Sequence, residues 1–268
     1  MNRLLVIALL VGACGGDSGT KPDAATIDAA VTPDSASPDA SVDASPSAKE
    51  GQIFLGELRS STNQSTTVVV GMFMDGPLYH KLGSADGCDA IDDMPASSLA
   101  AGSITVTGTT SDVTLAQTNG SSSPYYASSQ VPADLFTAGA TLTVTATGAV
   151  VPAFTGGVVA PQPLADVVFP DSISRAAPAT ITWTAGTSDT MWFLVASADA
   201  TPGGMLCKAP DNGSFTLTTN AIGLLPPAVT QLTIVAYRMN EVPVTAGAWT
   251  VYVRAADGVV ADTTPIGP

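Results

Sequence analysis

After residue 50, apolar and polar residues alternate along most of the chain. Ser103-Ile104-Thr105-Val106-Thr107, Thr141-Leu142-Thr143-Val144-Thr145-Ala146-Thr147 and Ser214-Phe215-Thr216-Leu217-Thr218 all have this period of two. Successive side chains of a strand point to opposite faces, so each stretch predicts a strand with its aliphatic residues in a core and its threonines facing out. Ala179-Thr180-Ile181-Thr182-Trp183-Thr184 and Trp249-Thr250-Val251-Tyr252-Val253-Arg254 follow the same rule, which puts Trp183 and Trp249 on core faces. Tyr237 and Tyr252 fall on the faces opposite Ile234 and Val251. Residues 66–74, 190–196 and 232–237 are apolar on both parities, as strands buried on both faces would be. Turn signals separate these runs: Asn119-Gly120, Asp211-Asn212-Gly213 and Ala256-Asp257-Gly258. Helical patterning is confined to short turns at 133–136 and 221–225.

The fold class expected is therefore all-β, with one or two β-sandwich domains. Prolines at 152, 161, 163 and 170 mark 152–170 as a hinge, giving a first β domain over 51–160 and a second over 161–268. The second half, with its Ile181-Thr182-Trp183-Thr184 strand, the stretch 211–217 and a closing Trp249 strand, resembles immunoglobulin-like and fibronectin-like wall modules. That resemblance implies a β-sandwich but no activity.

The beginning of the chain has a different pattern. Arg3, an apolar run over 4–11, then Gly12 and Ala13 have the layout of an export signal, and the run is too short to span a bilayer, which takes about 20 apolar residues. Val11-Gly12-Ala13-Cys14 resembles the lipobox of bacterial lipoproteins. The resemblance implies that residues 1–13 are removed, that Cys14 is lipidated, and that the protein sits on a membrane. Gly15 stands where inner-membrane lipoproteins typically carry Asp, so the resemblance favours the outer membrane of the cell envelope. From 15 to 50 the chain is Asp, Ala, Ser, Thr and Pro with no aromatic residue, a composition that cannot bury enough apolar area to offset ordering. Residues 14–50 are accordingly read as the lipidated cysteine and a disordered tether.

Charge narrows the partners. The chain carries a formal net charge of −14, and residues 51–268 contribute −10 from sixteen acids and six bases. With no block of Lys or Arg, there is no electrostatic footprint for nucleic acid. Export also places Cys88 and Cys207, the cysteines other than Cys14, where disulfides persist, which leaves either a mutual bond or two separately buried thiols.

Catalytic chemistry is sparse. His80 is the chain's one histidine, no serine sits in a Gly-x-Ser-x-Gly elbow, and the cysteines lack Cys-x-x-Cys spacing. No catalytic residue is assigned and no cofactor is expected. The densest carboxylate group, Asp86, Asp89, Asp92 and Asp93, offers oxygen ligands of the kind calcium takes, but lacks the alternating pattern of a calcium loop, so a solvated acidic loop is the simpler reading. Tyr125 and Tyr126 follow Ser121-Ser122-Ser123-Pro124; adjacent tyrosines in an extended segment cannot both face a core, which makes them candidate ligand contacts. Together these features predict a noncatalytic, lipid-anchored envelope module that binds a glycan or an envelope protein, or spaces the envelope. The alternative is an anchored Asp/Glu-dependent hydrolase of glycosidase type. Replacing Cys14 by Ala is expected to move the protein from the detergent phase to the aqueous phase and abolish lipid labelling; unchanged partitioning of the variant would refute the anchor.

Overall fold

The computed structural model describes residues 49–60, 64–91, 98–118, 125–128, 130–188, 190–198, 204–261 and 263–267. Cys14, the stretch 15–48, Asp92, Asp93 and the Asn119-Gly120 turn lie outside them. The chain is all-β. Its strands are β1 (Lys49–Ser60), β2 (Ser65–Met74), β3 (Lys81–Ala85), β4 (Cys88–Ile91), β5 (Ile104–Thr107), β6 (Val113–Gln117), β7 (Tyr126–Ala127), β8 (Thr141–Ala146) and β9 (Phe154–Val159). There follow β10 (Ile173–Ser174), β11 (Ala179–Thr182), β12 (Thr190–Ser197), β13 (Gly204–Ala209), β14 (Ser214–Leu217), β15 (Gln231–Ala246), β16 (Trp249–Val260) and β17 (Thr264–Gly267). One helical turn, α1 (Thr219–Ile222), precedes β15; the Thr218 side chain caps it by accepting from Ala221 N–H. No helix among the described residues is long and apolar enough to cross a membrane.

Most strands join one sheet, in the order β3-β4-β13-β12-β15-β16-β1-β2-β7-β6-β5-β8-β9. Its axis is the β15–β16 hairpin, which pairs in register from Val235↔Val260 to Ala246↔Trp249. Beside it β1 runs parallel to β16 over its whole length, from Lys49↔Trp249 to Ser60↔Val260. The even residues of β15 and the odd residues of β16 share one face. At the turn end of that face, Ala246, Trp249, Val251, Val253 and Ala255 join a core with Ile53, Phe73, Ile104, Leu115, Tyr126, Leu142 and Phe154. At the open end, Leu232, Ile234 and Ala236 join a second core with Ile181, Trp183, Phe193, Met205, Leu217 and Ile222.

Around the first core the sheet curls until β9 returns to β15. Asn240 Nδ2 donates to Val159 O at 2.8 Å, and a β-carbon at Gly156 would stand 2.4 Å from Val244 Cγ2, so the close approach needs glycine. The second core is a two-sheet sandwich, with the β11–β14 pair facing β13, β12 and β15, and β10 parallel to β17 at its margin. The expected alternation is observed: β5 and β11 bury Ile104, Val106, Ala179 and Ile181 while exposing their threonines, and Trp183 and Trp249 are buried.

Two local expectations are corrected. Part of the proline-marked stretch 152–170 is strand β9, pairing with β8, so the passage between the cores is narrower than the sequence suggests. Ala256-Asp257-Gly258 is not a turn but the continuation of β16. The Asp257 carboxylate is satisfied inside, and position 258 is glycine because Leu58 and Tyr237 side chains come within 2.8 Å of where a β-carbon would be, so both residues serve packing rather than a turn. The hairpin turns instead at Gly247, with φ +61°.

Between the two cores, on the same face, lies a charged seam. Arg238 and Asp257 are cross-strand partners there. Asp257 accepts from Leu164 N–H at 2.7 Å and from Arg59, whose guanidinium also donates to Leu164 O at 2.6 Å. Arg238 donates to Asp211 Oδ2 (2.8 Å), Pro163 O (2.7 Å) and Thr184 O (2.6 Å), and Trp183 Nε1 donates to Asp211 Oδ1 (2.7 Å). The seam thus fixes the inter-core segment at Pro163 and Leu164 by its backbone.

Burial pushes the Asp257 carboxyl above its ordinary range, against the pull of Leu164 N–H and Arg59. Burial acts the same way on Asp211, but hydrogen bonds from Arg238, Trp183 and Gly186 outweigh it and hold that carboxyl below its usual range. The Asp211 and Arg238 side chains are 1 % and 3 % exposed, so removing one leaves the other charge stranded. Asp211→Ala is expected to cost about 3–5 kcal/mol in urea unfolding. A lowered native pKa contributes stability that is present above the unfolded value of about 4 and lost as pH falls through the native one. The stability gap between the wild type and Asp211→Asn should therefore shrink on acidification below about pH 4; a gap that widened would refute this assignment.

Candidate functional site

The opposite face of the same hairpin carries odd residues of β15 and even residues of β16, and it too is largely apolar: Val235, Tyr237, Met239, Ala256 and Val260 pack with Leu58 and Trp192. What covers this face follows from chain length. In the sheet order, β2 and β3 are seven strand positions apart, roughly 34 Å at about 4.8 Å per step if the sheet were flat. Residues 75–80 join them, and six residues reach at most about 25 Å. The sheet must therefore be strongly coiled, with the β3–β4 hairpin brought round toward the outer face of β1 and β16.

In the resulting trough, Met72, Met74 and Leu78 form a small apolar bed on which Tyr79, Tyr125 and Tyr252 pack, each half-buried. The three tyrosines come from separate places: the segment after β2, the approach to β7, and β16. Leu78 is held by its N–H, which donates to Glu50 Oε2 at 2.9 Å. Beside them stands Arg254, opposite Glu241 across the hairpin, donating to Glu241 Oε2 and to Gln52 Oε1, both at 2.5 Å. Its guanidinium lies 5.1 Å from the Tyr252 ring and 5.0 Å from the Trp192 ring, which has Lys208 Nζ at 3.7 Å. Lys81 at the start of β3 pairs with Asp89 at 2.9 Å.

Electrostatics tie these groups together. Burial raises Tyr79 above its ordinary value, with Arg254, Asp89, Lys81 and Glu50 also acting on it. Burial likewise raises Tyr252, seconded by Glu50 and Glu241, so both phenols stay protonated and can donate at neutral pH. Lys208 is pushed below its ordinary value by burial, against the pull of Glu241 and with Arg254 adding to the depression. Of the six bases in residues 51–268, Arg59 and Arg238 are in the seam and Arg175 binds the carbonyls of Leu225, Pro226 and Val229. The other three, Lys81, Lys208 and Arg254, converge here.

The residues singled out from sequence fare differently. Tyr125 lies in the trough, but Tyr126 points the other way: it is 1 % exposed in the first core, edge-on to Phe73, and its hydroxyl accepts from Ala101 N–H at 2.8 Å. It cannot touch a ligand, and the alternation of an extended strand is the reason. Tyr237 is on the outer face as expected but buried edge-on against Phe54.

Asp86 and Gly87, at φ +48° and +81°, form the two-residue turn joining β3 and β4, a backbone that matches the twist of paired strands. Asp86 Oδ2 accepts from Thr218 Oγ1 at 2.5 Å, while Asp89 accepts from Ser84 at 2.7 Å and from Lys81. Burial pulls the Asp89 carboxyl upward, but Lys81 and Ser84 together hold it below its usual range. The two carboxylates are thus engaged separately, and among the described residues no three His, Cys, Asp or Glu side chains group as metal ligands. Asp92 and Asp93 lie outside the described residues. His80, next to Tyr79 in the chain, is exposed.

Cys88 and Cys207 face each other as cross-strand partners in β4 and β13 and are joined by a disulfide, both fully buried. The pairing ties the β3–β4 hairpin, which walls the trough, to the second core.

Arg254, Trp192, Lys208 and Tyr79 escaped the sequence reading. The usable signal was the odd face of β15 and even face of β16, where Tyr252 and Arg254 stand two apart on the side away from the core. No protein-family model matches the chain, and a search of curated proteins finds no match. A crosslink closing a loop of sequence separation 119 is worth up to about 4 to 5 kcal/mol in the chain-entropy model, with measured values often lower. Reduction, or Cys207→Ser, is expected to lower the melting temperature; free thiols titrated in denatured, nonreduced protein would refute the bond.

Proposed function

We propose that the protein is a noncatalytic, lipid-anchored module of the cell envelope, held at the outer membrane through Cys14 and binding an envelope glycan or protein through the tyrosine trough. The observation that carries the binding half is the convergence of Tyr79, Tyr125 and Tyr252 from three distant elements on one apolar bed. Partly exposed aromatics beside a few fixed polar groups are what a ligand surface needs, and a structural core does not. The carboxylates engaged within the fold support the noncatalytic half. Glu57 accepts from Leu135 and Phe136 N–H, Asp211 from Trp183 and Arg238, and Asp257 from Leu164 and Arg59. Each holds backbone or a neighbouring side chain in place.

The anchor rests on Val11-Gly12-Ala13-Cys14, and a doubly or triply acylated cysteine would be a stable attachment. An immunoglobulin-like second domain is supported by the β11–β14 pair facing β13, β12 and β15, with β10 parallel to β17.

The test uses the full mature chain. It should sediment with isolated envelope polysaccharide and turn over no glycoside, ester or peptide substrate, with or without calcium. Tyr79→Ala/Tyr125→Ala/Tyr252→Ala should lose most of the sedimentation while keeping the wild-type circular dichroism. Turnover that disappears in Asp89→Asn would replace this reading with the hydrolase.

A further inference from the structure

Within the trough, one cation is differently placed from the rest. Lys81 is paired with Asp89 and Arg254 with Glu241, whereas among the described residues no carboxylate stands within ion-pair distance of Lys208. Lys208 is exposed, its ammonium lies 3.7 Å from the centre of the Trp192 ring, and Trp192 itself is only 4 % exposed beneath it. The ammonium itself is thus seated on the face of the indole, on a residue that is open to solvent. Burial and the neighbouring Arg254 disfavour its charge, and an incoming anion would relieve that cost. In a chain of net charge −14, such a site is a local exception.

The surroundings restrict what that anion can be. Glu241, Asp89 and Glu50 border the site and act on Lys208, Tyr79 or Tyr252. They would repel a chain of closely spaced negative charges but tolerate a single one. Tyr79 and Tyr252 offer protonated hydroxyls, which donate to acceptors, and the partly exposed rings of Tyr79, Tyr125 and Tyr252, seated on the buried Met72, Met74 and Leu78, offer an apolar surface. A ligand that fits has one carboxylate, a rim of hydroxyls and a flat, partly apolar face.

We propose that the trough binds a carboxylated sugar unit, of uronic-acid type, within an envelope polysaccharide, with Lys208 holding the carboxylate and the tyrosines holding the ring. This rests on the trough being the binding surface. Charge-assisted hydrogen bonds to an ammonium are among the stronger polar contacts, so the carboxylate is worth about tenfold or more in affinity.

The experiment is titration calorimetry of the full mature chain with a neutral oligosaccharide carrying a single galacturonate unit, its methyl ester, and a neutral peptide carrying a single glutamate, at low and high ionic strength. The acidic oligosaccharide should bind most tightly, weaken with salt, and exceed the ester by about tenfold or more. Lys208→Met keeps an unbranched apolar side chain beside Trp192 and removes the charge; it should abolish the preference over the ester. Lys208→Arg should restore part of the preference. Tyr252→Ala should weaken both sugars together. Equal binding of acid and ester, or a preference that survives Lys208→Met, overturns the inference yet leaves the trough a glycan site. The glutamate peptide binding as tightly as the acidic oligosaccharide overturns it in favour of an acidic peptide. Binding of none of the three overturns it outright, whereas failure of the proposed function would show separately, as turnover or as loss of envelope sedimentation.

Discussion

The structure depends on one hairpin being long enough to belong to two cores. β15 and β16 stay in register through twelve cross-strand partners, from Val235↔Val260 to Ala246↔Trp249, and neither core closes without them. A shared face running from one core to the other meets a difficulty midway, where the apolar packing of each ends. Arg238 and Asp257 occupy that position and are satisfied by Asp211, Trp183, Arg59 and the backbone at Pro163 and Leu164. Buried ion pairs add little net stability over apolar packing, because desolvation offsets the attraction. Their geometric demands are strict, however, and here they fix where the inter-core segment passes.

The same hairpin explains the trough. Because its inner face is used twice, its outer face is also long, and the coiling that brings β3 and β4 toward it sets Trp192, Arg254 and Tyr252 beside Lys208, Tyr79 and Lys81. Exchange runs in both directions: the second half lends β15 and β16 to the first core, and the first half lends β3 and β4, with Cys88, to the sheet beside the second. The disulfide sits at that loan and crosslinks the edge hairpin β3–β4 to β13, the strand it pairs with.

Period-two alternation made the strands legible where one face is dry and the other wet. β5, β8 and β11 are such strands, and Trp183 and Trp249 were placed by the same logic. It misled where polar residues are buried for a partner that only tertiary structure supplies. Ala256-Asp257-Gly258 has turn composition, yet Asp257 answers Arg59 and Leu164 from 198 and 93 residues away in sequence. The Tyr125 and Tyr126 pair was legible only as a pair: the rule that one of two neighbours must face outward is local, but which one does so is decided by the Phe73 and Ala101 environment that receives Tyr126. The trough itself could not be read, since its groups lie on β1, β12, β13, β16 and the segment after β2, and no short motif spans them.

The position of β1 has a mechanical consequence. It is the first described strand, it is interior to the sheet, and it is bonded along one side to β16 in parallel and along the other to β2 in antiparallel register. A load applied at Lys49 and resisted by the body of the protein would pull along the strand axis. The hydrogen bonds run across that direction, so the two ladders would be loaded in shear and would have to yield nearly together, whereas an edge strand peeled from its end gives way one bond at a time. Tension arriving from residues before Lys49 would thus meet a strand that resists on both sides at once.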